Sequence, residues 1–124
     1  MSAGRLVTDA LWPTRKDIAP VGLDSMKAKP VEASAFITVP NPDKNEVPVI
    51  GVKPGLILTF RESASLASDE TGLKPDTGAD VIKVAVIERH GINGNIGRSF
   101  VKGFGLKRGA IASSVGHDSH NITV

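Results

Sequence analysis

Histidine, aspartate and asparagine crowd one short stretch near the end of the 124-residue sequence: His117, Asp118, Ser119, His120 and Asn121. Two of the chain's three histidines fall here. An imidazole titrates near neutral pH, so His117 and His120 are candidate general acid–base groups. Asp118 is placed to orient a neighbouring ring. Two histidines three positions apart face one metal ion only on a helix or a tight turn, and a protein metal site normally takes three or four ligands. The obvious additions are Asp118, His90 and Glu88, so no metal site is expected in this chain. The competing reading of residues 117–121 is a polar turn whose Asp and Asn cap backbone amides.

Three further stretches carry chemistry-bearing residues. Glu88, Arg89 and His90 follow an apolar run, and loops leaving strand ends commonly hold functional groups. Next comes a glycine-rich segment, Gly91, Asn93, Gly94, Asn95 and Gly97 among its residues. Its spacing is G-x-x-G-x-x-G, not the dinucleotide G-x-G-x-x-G, and no Walker lysine and hydroxyl follow it. A glycine-rich connection is the better reading than a phosphate site. Residues 102–108 (KGFGLKR) hold three basic residues and one Phe, which reads as a solvated turn.

These residues need elements to position them. Prolines 13, 20 and 30 punctuate residues 1–30 and block long helices or ladders, so this stretch is expected to be an extended strap or linker, with one short strand at 5–7. Residues 31–124 are expected to form one folded domain. Strands are expected at 36–39, at 47–52, and at 55–61 after a type II turn at Lys53, Pro54 and Gly55. Pro48 suggests an edge strand. Residues 62–79 read as a polar surface loop, and residues 80–89 as a strand buried on both faces. One helical turn is expected at 99–104, and strands at 110–115 and 121–124. The resulting fold class is α+β: mostly strands in a mixed or antiparallel sheet, with few short helices.

Composition narrows the function classes. Net charge is +2, and the fifteen basic residues are interspersed with thirteen acidic ones. With four Phe, one Trp and no Tyr, a base-stacking nucleic-acid platform is poorly supplied. Cysteine is absent, which excludes disulfides, thiolate metal sites and a cysteine nucleophile. No apolar run approaches the roughly 20 residues that span a bilayer as a helix, and the first residues lack the apolar region of a signal peptide. Neither nucleic acid nor membrane is an expected partner, and a cytoplasmic location is expected.

The ordered words ERH at 88–90, GNIG at 94–97, FVKGFGLKRGAIA at 100–112 and HDSHN at 117–121 resemble the C-terminal end of adenine deaminase. The words VIGV at 49–52, IKVAV at 82–86 and GLDSMKAKP at 22–30 are similar to that family's preceding segments. The resemblance implies the amidohydrolase superfamily and, for an intact enzyme, hydrolytic deamination of adenine to hypoxanthine and ammonia in purine salvage. It also implies a metal-dependent barrel holding manganese or iron. No barrel and no H-x-H word occur here, so no cofactor is expected in this chain. The chain reads as a piece truncated at both ends. Its implied partners are a barrel-containing chain or other deaminase subunits, with adenine bound in the intact enzyme. On this resemblance His117, Asp118 and His120 are candidate catalytic groups on a loop over the active site. His90, Asn93, Asn95 and Asn121 are candidate substrate-binding groups. The alternatives are an inactive gene remnant and a non-catalytic interaction domain.

Overall fold

A computed structural model describes residues 8, 21–44, 46–116 and 119–124. The strand expected at 5–7 lies outside the described residues. Among them, seven strands occur: β1 (Val47–Gly51), β2 (Phe60–Ala64), β3 (Ser68–Asp69), β4 (Gly72–Leu73), β5 (Val81–Ile87), β6 (Ile96–Lys102) and β7 (Ile122–Thr123). The one helical element is a 3-10 turn at Ala33–Phe36. Residues 21–30 hold a turn and otherwise no regular structure.

Five strands form one mixed sheet in the order β2-β1-β6-β5-β7, and β3 and β4 form a separate two-stranded hairpin. The β1–β2, β5–β6 and β5–β7 pairs are antiparallel, while β1 and β6 run parallel. The sheet is therefore two antiparallel hairpins joined side by side. The mostly-strand, mixed-sheet fold class matches the expectation from sequence.

Side chains alternate across a strand, so register decides the core. Val49 stands opposite Phe100, and Phe100 opposite Lys83, whose neighbour two positions back is Val81. Val49, Val81 and Phe100 thus share a face, and all three are buried. Leu73 from β4 completes the cluster, with Val47, Ala64 and Leu66 packed around it. Full burial of each large apolar side chain contributes about 1.5–3 kcal/mol. Arg98 donates to the carbonyls of Ala35 (3.1 Å) and Ile37 (3.2 Å), which ties the segment around the 3-10 turn to β6.

Several local expectations are corrected. Residues 36–39 are not a strand; the chain turns at Ala33–Phe36, and the Thr38 carbonyl instead accepts from the Leu73 amide. Pro48 does not mark an edge, because β1 lies between β2 and β6. The Val52 amide donates to Lys102 O, so amides of that parity, Pro48's included, are directed toward β6. The parallel ladder with β6 begins only at Val49, and the missing donor costs nothing there. The turn at Lys53, Pro54 and Gly55 forms, closed by the Leu56 amide on Lys53 O (3.1 Å). The following strand starts at Phe60 rather than 55, leaving Leu56, Ile57 and Leu58 exposed.

Residues 62–79 are not a simple loop: they hold the end of β2 and the β3–β4 hairpin, whose Gly72 and Leu73 are buried. Lys74 lies 2.9 Å from Asp69 and, with Thr71, holds the Asp69 carboxyl down at about 2. β5 buries one face (Val81, Ala85, Ile87), whereas on the other Ile82 and Val84 are half-buried and Val86 is exposed. Residues 99–104 belong largely to β6 rather than a helical turn. Within 110–115 only Ser113 pairs, as a bridge to Thr123, and the strand expected at 121–124 is Ile122–Thr123.

Asp80 starts β5 in the left-handed region (φ 56), which short polar side chains tolerate. Its carbonyl accepts the Gly103 amide (3.3 Å) and its carboxylate the Gly105 amide (2.8 Å). Gly103 has φ 91, and a Cβ there would overlap Val52 O, so this crossing of β1 and the end of β6 demands glycine.

Candidate functional site

The end of β5 draws the singled-out residues together. The Glu88 amide donates to Asn95 O (2.9 Å), closing the connection to β6. Its carboxylate turns inward and accepts the amides of His90, Ile92 (3.2 Å) and Gly94 (3.1 Å). Successive amides converging on one anion form a nest. Here the anion is the chain's own carboxylate, so the amides that suggested a phosphate loop are already satisfied. Partial desolvation pushes the Glu88 carboxyl up, but the amides of Gly94, His90, Asn93 and Ile92 together outweigh it and hold it below the usual carboxylate value.

Arg89 and His90 reach the neighbouring loop. The Arg89 guanidinium donates to Ser114 O (3.1 Å), and His90 Nε2 lies 2.7 Å from Ser119 O. On its other side Arg89 O accepts the Lys27 amide (2.7 Å), and Nη1 meets Met26 Sδ (3.4 Å). Gly91 (φ 77) lies so close that a Cβ would press on Lys27 Cβ at 2.9 Å. Three consecutive residues thus join the glycine loop, the loop before β7 and the segment around Lys27.

The remaining candidates are placed as follows. His117 and Asp118 lie outside the described residues. His120 is exposed, adopts φ 50, and its Nδ1 accepts the Gly116 amide (3.3 Å). Asn93 caps its own loop by accepting the Asn95 amide (2.9 Å). Asn95 is exposed. Asn121 is half-buried, and its Oδ1 has no hydrogen-bond partner among the described residues; the same holds for Arg89 Nε. Sequence reasoning paired His90 with the 117–121 stretch only as a distant extra. It missed Lys27 and Met26, for which no local signal exists. No group of three or more His, Cys, Asp or Glu among the described residues is arranged to hold a metal ion. No helix among them is long and apolar enough to cross a membrane.

Comparison with known proteins places this arrangement. "Adenine deaminase 1" of Agrobacterium fabrum is 60% identical over 124 residues, covering 100% of this chain and 21% of the relative. "Adenine deaminase" of Sinorhizobium fredii is 58% identical over 123 residues, 99% of this chain and 21% of the relative. "Adenine deaminase" of Brucella abortus is 53% identical over 124 residues, 100% and 21% respectively. The chain spans about a fifth of the length of these curated relatives. The profile of the family described as "Adenine deaminase C-terminal domain" matches residues 56–124, which include every strand from β2 onward. With more than half of its residues under that profile, the chain belongs to the adenine deaminase C-terminal domain family.

Proposed function

We propose that this chain acts as the C-terminal part of an adenine deaminase, beside a barrel supplied by the rest of the polypeptide or by another chain. The intact enzyme hydrolyses adenine to hypoxanthine and ammonia in the cytoplasm, in purine salvage. The described residues do not fit a metal site. Manganese or iron is assigned to the barrel, and no chemical step is routed through it here. The part played by this chain is to present the 88–97 loop and the loop preceding β7 to the barrel mouth. There they close over adenine and exclude water. His117, Asp118 and His120 are the proposed proton-handling groups, and His90, Asn93, Asn95 and Asn121 the proposed polar contacts to the base.

The observation that carries this reading is the clasp formed by Glu88, Arg89 and His90. It brings two loops from distant parts of the sequence to one end of the sheet. The open Asn121 Oδ1 and Arg89 Nε lie in the same cluster, and a half-buried polar atom without a partner favours one supplied from outside.

The test is an adenine deamination assay on the purified chain with manganese or iron(II), alone and co-expressed with the barrel portion of the Agrobacterium fabrum relative. Activity is expected only with the barrel, and His120→Ala should lower it. Absence of activity in both arms would sink the proposal.

A further inference from the structure

The outer edge of β5 is paired at both ends and open in the middle. Val81 exchanges both backbone hydrogen bonds with Asp76 (2.8 Å each). Ala85 does the same with Val124 (2.9 Å each). Backbone groups of alternate residues face the same side of a strand, so the N–H and C=O of Lys83 also face outward rather than toward β6. Among the described residues none stands opposite Lys83. A strand edge lacking its partner over one hydrogen-bonding position is an unmade ladder contact.

The surroundings of that gap are apolar. A concavity of about 640 Å3 opens there, lined by Pro75, Ile82, Val84, Val101, Ile111 and Val124 among others. Its size is that of sites that take up ligands. A small apolar molecule would leave the Lys83 amide and carbonyl unpaired. An extended peptide satisfies both and buries alternate side chains against the apolar wall.

We infer that this concavity receives an extended apolar strand from the part of an adenine deaminase polypeptide outside these 124 residues, paired with Lys83. The relatives are several times longer than the matched stretch, which makes such segments available in every intact protein of the family. The inference rests on the proposed function only in naming the source of the strand; the docking itself does not require catalysis.

The test uses the isotope-labelled chain and overlapping synthetic peptides of about 15 residues, enough for one strand. The peptides cover the Agrobacterium fabrum relative outside the matched stretch. An apolar peptide should slow exchange of the Lys83 amide at least ~tenfold and shift the methyl resonances of Ile82, Val84 and Val101. Val84→Asp, which leaves every backbone group in place, should weaken that peptide at least ~tenfold. Lys83→Pro should abolish the protection, with circular dichroism checking that the sheet persists. No protecting peptide, or binding that leaves Lys83 exchange unchanged, overturns the inference. So does Lys83 protection that appears with chain concentration alone, which would make a second copy the occupant. Docking without restored deamination would sink the proposed function and leave this inference standing. Restored deamination without protection at Lys83 would do the reverse.

Discussion

The Nε2 atom of His90 stands 2.7 Å from the carbonyl oxygen of Ser119. The residue just beyond β5 therefore also fixes the loop that leads into β7. A ring nitrogen facing a carbonyl carries the proton, so His90 is held as the Nε2–H tautomer or as the cation.

Replacing His90 with alanine removes that tie while leaving the sheet ladders intact. Amide exchange at Ser119, His120 and Asn121 should accelerate by roughly tenfold, with global stability falling by only about 1 kcal/mol. Exchange at Phe100 should not change at low denaturant. Unaltered exchange at 119–121 would show that the two loops are held together by something else.

The Glu88 nest predicts a pH dependence. Because its folded value is lowered, the nest's contribution is fully present above the unfolded carboxylate value of about 4.3 and is lost as pH falls through the folded value. The amide resonances of His90, Ile92 and Gly94 should titrate together, with one midpoint below that of a free glutamate. In Glu88→Gln they should be flat. Three independent midpoints, or a shared one above 4.3, would contradict the nest.

Much of this was readable in the residues themselves. The β-branched run at 81–87 and the Pro54–Gly55 turn declared themselves because each depends on local stereochemistry. Strand β6 did not, since Gly97 and Ser99 within it and Gly103 after it are poor strand formers by propensity. They are strand residues only because β1 and β5 flank them on both sides. The apolar run Leu56, Ile57 and Leu58 misled in the opposite sense: it looks like strand yet stays outside the ladder. At the candidate site the residue types were legible, but the role of Glu88 was not. Its amide partners lie two to six positions ahead and converge only once the loop has turned.

Gly103→Ala tests the crossing at the end of β6. The added Cβ would meet Val52 O, a backbone atom that cannot swing aside, in a conformation that L side chains rarely adopt. A loss of about 2 kcal/mol or more is expected in urea unfolding. A loss below about 0.5 kcal/mol would mean that the crossing relaxes freely in solution.

The parallel seam between β1 and β6 sets the order of folding events. Each hairpin closes through a local connection, whereas Val49 must find Phe100 about fifty positions away. That encounter carries the largest loop-closure entropy in the sheet, and refolding speed follows it rather than hairpin formation. Val49→Ala should therefore slow refolding in stopped-flow experiments, while Ile122→Ala, at the late-joining margin, should mainly hasten unfolding. The sheet is in this sense a slow lock between two quick halves, and anything that keeps those halves close together would speed its assembly without altering a single contact.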